Sequence, residues 1–408
     1  MTEAQTWQPR YASRSVRMEA SEIRELLKVI AQPGVISFAG GIPDPALFPM
    51  EEVETAFVDL LALPNAGARL LQYSVSEGDP DLRRWIAGYM AAKGVPCDID
   101  NILITNGSQQ GLEFLGRLLI SPRDTALVLA PTYLGALQAF AGAEPCYDIL
   151  TPEQTNRTAA SYRDAAARSG GDVKFAYSVP DFANPSGETL SLAARERLLE
   201  LSRSLDIPLI EDAAYTDLRF DGDDLPGLQA LDVAASGGID RSRVIYCGTF
   251  SKIFMPGLRV GWVCASRQIV ARLTLIKQAS DLNSSALNQA IIRRLAEQCF
   301  DEQVQKVRAS YRAKRDRMLA ALRAHMPGGV SWSEPKGGMF IWVTLPSHID
   351  AADLLQRAVA EVGVAFVPGR AFFAAGEGSN TLRLSFSLPS VDEIDDGIAK
   401  LARLIAAE

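Results

Sequence analysis

The sequence predicts an α/β fold: a large domain on a mostly parallel sheet sandwiched by helices, plus a small α+β domain. Three observations carry that expectation. From about residue 100 onward, short apolar runs alternate with amphipathic helical patterns, the signature of strand–helix–strand crossovers. After about residue 328 the texture changes to a few strands and one closing helix. The length of 408 residues, with 48% hydrophobic and 22% charged content, suffices for a large core and two domains. The expected boundaries are 1–50 for an N-terminal arm belonging to the small domain, 51–325 for the large domain and 326–408 for the remainder of the small one.

Taken in order, residues 1–50 read as an irregular arm with one short helix over 21–28, capped by Ser21. An extended segment follows over 36–43, broken by Gly40-Gly41, a pair that lets backbone approach another group closely. Tyr73 precedes Glu77-Gly78-Asp79-Pro80, which opens a helix through Trp85 and Tyr89. Strands are expected over 102–105, 125–129, 173–179, 207–210, 243–248 and 260–264. Helices are expected over 112–120, after Tyr133, over 191–205 and through 267–325, with 106–111 as the turn after the first strand. In the C-terminal unit, 337–343 and 382–386 read as strands, closed by a helix ending at Leu404.

Composition removes several function classes. A net charge of −8 argues against a nucleic-acid partner. No run approaches the roughly eighteen apolar residues that a membrane-spanning helix requires, and 1–10 lacks the apolar core of a signal peptide. Five scattered cysteines without a CxxC read as reduced thiols of a cytoplasmic protein. Only two histidines occur, His325 and His348, so a histidine-based metal site or a Ser-His-Asp triad has little support.

The chemistry concentrates around Thr249-Phe250-Ser251-Lys252 and Gly257-Leu258-Arg259-Val260-Gly261. A lysine just past a buried strand is unusual, because burying an unpartnered ammonium is costly. Partly desolvated, it becomes a nucleophile able to form a Schiff base with a carbonyl. The hydroxyls of Thr249 and Ser251 with the Arg259 guanidinium suit a phosphate. A Schiff-base lysine beside a phosphate cup points to pyridoxal 5′-phosphate. A surface Lys/Arg pair at a strand end is the alternative.

Other residues fall at expected carboxyl ends of strands, where open α/β sheets place ligands. Ser108 and Gln109 sit at a strand-to-helix turn that favours phosphate, or form a plain turn. Asp212 ends a buried strand and needs a donor partner such as a protonated pyridine nitrogen, or is a core network acid. Tyr133 could stack on a flat ring, and Asn184 and Tyr215 could donate to a ring oxygen. Arg383, alternating with Leu382 and Leu384, could grip a carboxylate in two-pronged fashion, or be a surface arginine. Neither G-x-G-x-x-G nor a P-loop motif occurs.

The order and company of these residues, with Asn184-Pro185-Ser186-Gly187 and Asp212-Ala213-Ala214-Tyr215, resemble fold-type I, aspartate-aminotransferase-like enzymes of class I/II. The segments 21–27 and 36–43 resemble the 2-aminoadipate/kynurenine branch. That resemblance covers nearly the whole chain. It implies a pyridoxal-phosphate-dependent aminotransferase working by a ping-pong exchange between an L-amino acid and a 2-oxo acid such as 2-oxoglutarate. It further implies Lys252 as Schiff-base and proton-shuttling residue, Asp212 on the pyridine nitrogen, Asn184 and Tyr215 on the ring oxygen, and Tyr133 stacked on the ring. Ser108, Gln109, Thr249, Ser251 and Arg259 would bind phosphate. Arg383, with Asn184 and Gly41, would bind substrate, and Arg24 would meet an acidic side chain. Tyr73 would reach the phosphate of a neighbouring subunit, making a homodimer with shared sites. The same fold also supports β-lyases, decarboxylases and non-catalytic ligand sensors; the acidic charge and the absence of room for a helix-turn-helix disfavour the last.

Overall fold

The computed structural model describes Trp7 and residues 10–16, 34–62 and 66–408. The helix expected over 21–28, and Arg24 with it, lies outside the described residues. In chain order the strands are β1 (Ile36–Ser37), β2 (Ile102–Thr105), β3 (Thr125–Val128), β4 (Cys146–Ile149), β5 (Val173–Ser178), β6 (Leu209–Asp212) and β7 (Val244–Thr249). They continue with β8 (Gly261–Cys264), β9 (Ser331–Trp332), β10 (Phe340–Thr344), β11 (Val364–Ala365), β12 (Val367–Pro368) and β13 (Thr381–Ser385).

Seven strands form the central sheet in the order β2-β8-β7-β6-β5-β3-β4. From β7 to β4 every pairing is parallel. Strands β2, β3, β6 and β8 are buried at every position, as a sheet covered by helices on both faces requires. Strand β8 departs from the parallel pattern and pairs antiparallel with both β2 and β7. The reason is the connection: residues 250–260 hold only a short turn of 3-10 helix, too little chain for a crossover, so the backbone reverses.

Several expected boundaries move. The first crossover helix is Ser108–Leu119, beginning at Ser108 rather than Leu112, so most of the expected 106–111 turn is helix. Gly107 stands at its N-cap with φ +76°, which allows the chain to enter the helix at once; the polar first turn hid this from the apolar periodicity. Strand β6 starts after Pro208, which has no N–H for a ladder, and extends to include Asp212. Several elements were not anticipated, among them β4 and the helices Met50–Ala62, Ala159–Ser169, Leu228–Ser236 and Ala351–Arg357. β4 is an edge strand of mixed Cys-Tyr-Asp-Ile composition, and Ala159–Ser169 buries only Tyr162 and Ala166, so neither carries a strong apolar period.

In the C-terminal region, β12-β13-β10-β9 form an antiparallel sheet, and β1 pairs in parallel with β11 through Ile36↔Val364 and Ser37↔Ala365. Phe38 then accepts from the Ser385 N–H at 2.7 Å, which lays residues 38–41 along the end of β13. The 40-residue helix Ala286–His325 packs against both Met50–Ala62 and the closing helix Val391–Ile405. It bends at Cys299, whose φ of −142° is non-helical.

The loop after β5 is pinned by a buried arginine. Arg195 is fully buried; it bonds Asp181 at 2.7 Å and donates to the carbonyls of Leu190, Pro226 and Pro180. Arg219 also meets Asp181 at 3.0 Å. Removing one partner of a buried ion pair leaves the other charge desolvated and costs roughly 3–5 kcal/mol. We therefore expect Arg195→Ala to lower unfolding free energy by about that amount in denaturant titrations, while Arg203→Ala, on a half-exposed pair with Asp232, costs about 1 kcal/mol or less.

Candidate active site

The carboxyl ends of β5, β6 and β7 open into a cleft, the position at which parallel sheets collect ligands. Asp212 is the last residue of β6 and is buried. Its Oδ2 accepts from the Tyr177 hydroxyl at 2.8 Å, while Oδ1 is buried without a partner among the described residues. Burial raises its pKa to about 6, against the opposing hydrogen bond from Tyr177 and the charge of Lys252. An orphaned carboxylate oxygen in such a place is a ready acceptor for a cationic N–H.

Lys252 follows β7 by three residues and faces the same cleft. Its Nζ donates to the Gly41 carbonyl at 3.1 Å and lies 5.9 Å from the Tyr215 ring centre. Part of the side chain is open to the cleft, but protein surrounds the ammonium on most sides. Burial first, then the positive fields of Arg383 and Arg259, lower its pKa to about 8, with Asp212 pulling the other way. Gly41 cannot carry a side chain here, because a Cβ would stand 2.6 Å from the Phe340 ring.

At the opposite wall, the Ser108–Leu119 helix points its N-terminus into the cleft, where free N–H groups and the helix dipole favour an anion. Arg259 reaches this end and donates to the Asn106 carbonyl at 3.0 Å. A Cβ on Gly107 would meet its guanidinium at 2.5 Å, and one on Gly261 would meet the Ser108 nitrogen at 2.7 Å. Thr249 donates to the Ser251 hydroxyl at 2.9 Å and accepts from the Ser251 N–H at 3.1 Å, so both hydroxyls are oriented into the same corner.

Tyr133 lines the cleft beside Gln109, with 3.4 Å between its hydroxyl and Gln109 Oε1; burial pushes its pKa up to about 12. Asn184 bridges two residues: its Nδ2 reaches the Tyr215 hydroxyl at 3.5 Å, and its Oδ1 accepts from Arg383 at 2.7 Å. Arg383 also donates to the Ala39 carbonyl at 2.6 Å and lies 4.3 Å from the Phe340 ring and 5.1 Å from that of Phe372. Its Nε is buried and has no partner among the described residues. Burial lowers its pKa to about 10, which leaves it charged at neutral pH.

Ser108, Gln109, Tyr133, Asp212, Tyr215, Thr249, Ser251, Lys252 and Arg259 thus share one cleft. Gly41 joins it through its hydrogen bond from Lys252, Asn184 through Tyr215, and Arg383 through Asn184. Tyr73 does not: it is 79% exposed, away from the cleft of its own chain. Tyr177, Phe340 and Phe372 were not singled out in the sequence. For Tyr177 the available signal was a phenol near the end of an apolar strand, whose hydroxyl must find a partner when buried; nothing local marks the two phenylalanines.

Residues 34–401 match the family model described as aminotransferase class I and II. The chain is 39% identical to aromatic-amino-acid aminotransferase 1 of Thermococcus litoralis, over 98% of this chain and 94% of that protein. It is 38% identical to the 2-aminoadipate transaminase of Thermus thermophilus, over 98% of this chain and 97% of that protein. Among solved structures, the α-aminoadipate aminotransferase of Thermus thermophilus, complexed with N-(5′-phosphopyridoxyl)-L-leucine, superposes with a TM-score of 0.88 at 37% identity, covering 99% of each chain. With that likeness spanning both the central sheet and the C-terminal unit, the chain belongs to the class I and II aminotransferases, enzymes that use pyridoxal 5′-phosphate to exchange amino groups between amino acids and 2-oxo acids.

Proposed function

We propose that the cleft between Asp212, Lys252 and the Ser108–Leu119 helix is where this chain holds pyridoxal 5′-phosphate and carries out amino transfer. The observation that carries this reading is the buried, partnerless Oδ1 of Asp212 in the same cleft as an amine of lowered pKa. The residues fit the cofactor at three points. Asp212 Oδ1 is free to accept a pyridinium N–H, the helix N-terminus with Arg259, Thr249 and Ser251 suits a phosphate dianion, and Tyr133 supplies a ring for the pyridine to stack against.

When bound, the cofactor supplies an aldehyde to which amines attach and a ring that takes up the electrons released at Cα. The chain's own groups do the rest. Lys252 would hold the aldehyde carbon and, as an amine whose burial lowers its pKa, would carry the substrate's proton. Asp212 would keep the ring nitrogen protonated, and Tyr177 holds Asp212 in place. Asn184 and Tyr215 would donate to the ring oxygen. Arg383 receives the α-carboxylate through its unpartnered Nε and remaining protons, with Asn184 and Gly41 flanking it.

The donor is read as 2-aminoadipate or glutamate, with aromatic and branched-chain amino acids accepted as well, and 2-oxoglutarate as acceptor; the relatives named for 2-aminoadipate and aromatic amino acids support this breadth. Arg24 is the candidate partner of an acidic side chain. The chain is read as a cytoplasmic homodimer with shared sites. Its five cysteines are free thiols, and Tyr73, with exposed Leu71 and Val75, offers an apolar patch for a second subunit whose phosphate Tyr73 would reach. No helix among the described residues is long and apolar enough to cross a membrane. Residues 51–325 are read as the cofactor-bearing domain, and 326–408 with 1–50 as the smaller one.

Three measurements test the reading. Adding 2-aminoadipate, glutamate, leucine or kynurenine to the loaded protein should bleach its visible absorption, and 2-oxoglutarate should restore it; bleaching with release of ammonia or carbon dioxide would indicate a lyase or decarboxylase instead. Lys252→Ala should still bind the cofactor but turn over at least about a hundredfold more slowly, and normal turnover would sink the assignment. In the cofactor-free protein, covalent capture of pyridoxal phosphate, trapped by borohydride, needs the neutral amine. Its rate should therefore rise with pH through about 8, whereas an ordinary lysine would give a midpoint near about 10.4.

A further inference from the structure

Behind the anion-facing helix end lies a buried ionic cluster that the amino-transfer chemistry does not use. Lys277, in the last turn of the Arg267–Ser280 helix, is fully buried. Its Nζ meets Asp281 Oδ1 at 3.0 Å and Oδ2 at 2.9 Å, Ser284 Oγ at 3.0 Å and Gln110 Oε1 at 3.2 Å. Burying an ammonium is costly, so a structure that keeps one there surrounds it with acceptors whose positions it then fixes.

Two of those acceptors converge on a single residue. Gln110 Oε1 accepts from the Asn106 backbone N–H at 2.9 Å, and Asp281 Oδ2 accepts from the Asn106 side-chain amide at 2.7 Å. Gln110 also donates to Asp281 Oδ2 at 2.9 Å, closing the ring of bonds. The backbone carbonyl of Asn106 accepts from Arg259. Asn106 is followed by Gly107, whose φ of +76° aims the Ser108 end of the helix into the cleft. The backbone N–H, backbone carbonyl and side-chain amide nitrogen of the residue that leads into this turn are thus held, and two of those three bonds lead back to oxygens that Lys277 organises.

We propose that Lys277, acting through Asp281 and Gln110, is a positioning residue that sets the Asn106–Ser108 turn for a phosphomonoester. The inference rests on the reading that this turn receives the cofactor's phosphate. Lys277 itself touches neither Arg259 nor the cleft-lining hydroxyls; its charge acts by fixing the turn and by keeping Asn106 O as the acceptor that orients Arg259.

The test is a titration of cofactor-free protein with pyridoxal phosphate and, separately, with pyridoxal, which lacks the phosphate. Wild type should prefer the phosphorylated ligand. Lys277→Met should weaken pyridoxal phosphate about tenfold or more and leave pyridoxal unchanged, the size expected for losing one charge-assisted contact. Asn106→Ala, which removes the amide to Asp281 without unburying a charge, should give the same selective loss and decides the matter if Lys277→Met does not fold. Equal weakening toward both ligands would mean a merely structural role, and an unchanged ratio in Asn106→Ala and any folded Lys277→Met would overturn the proposal. A wild type that does not distinguish the two ligands would instead remove the phosphate reading on which the proposal rests.

Discussion

A carboxylate buried at the end of a parallel strand is the constraint to which this structure answers. Asp212 has left water, and one of its oxygens is matched by Tyr177 while the other is not. Left alone, such a group would protonate, and its raised pKa reflects that pull. The compensations come from different parts of the chain: a phenol from β5, an ammonium from the turn after β7, and an open face toward a cleft that a cationic ring can fill. The same desolvation that unsettles Asp212 leaves Lys252 more readily neutral, and so available to take a proton. Opposite charges are thus held at reduced stability so that each remains available for proton chemistry.

Arg383 ties the two sheets together under a similar rule. It stands on β13 of the smaller sheet, yet its hydrogen bonds run to Asn184, in the loop after β5, and to Ala39, in the segment after β1. Phe340 and Phe372 cover the guanidinium, so the cation is partnered by π faces and carbonyl dipoles rather than by a carboxylate. Among the described residues no acid neutralises it, in keeping with the carboxylate-binding role proposed for it. The buried Arg195–Asp181 pair has the opposite logic: fully satisfied, it shapes the loop that delivers Asn184 and takes no part in the cleft.

What was legible in the sequence follows from how local each signal is. Lys252, Asp212 and Ser108 follow or end apolar strands within a few residues, so the strand pattern alone marks their place. Arg383 betrays itself by alternation with leucines. The mostly parallel sheet reads directly from alternating strands and helices, but β4 and the Ala159–Ser169 helix do not, since an edge strand and a thinly buried helix carry little periodicity. Tyr177 and the Lys277 cluster were silent because their meaning is a relation between distant segments: Lys277 reads as one more helix lysine until Asn106 is brought beside it. Tyr73, exposed in its own chain, has no local cue that would reveal a use elsewhere.

The antiparallel insertion of β8 has a consequence for the order in which the molecule can form. β2 has no partner in the central sheet except β8, so Ile102 must wait for Cys264 and Thr105 for Gly261 before the Gly107 turn meets Arg259. The strands between them, β3 to β7, pair among themselves and can assemble first. The Asn106–Arg259 bond of the anion-facing corner thus joins residues 153 apart in sequence, and non-local pairings are slow because loop closure must precede them. During synthesis β2 stays unpaired until the chain has passed Cys264, an exposed edge that chaperones or a premature partner could engage. The corner that distinguishes this fold from a simple parallel sheet is thus completed late, once a strand from beyond the lysine turns back to receive it.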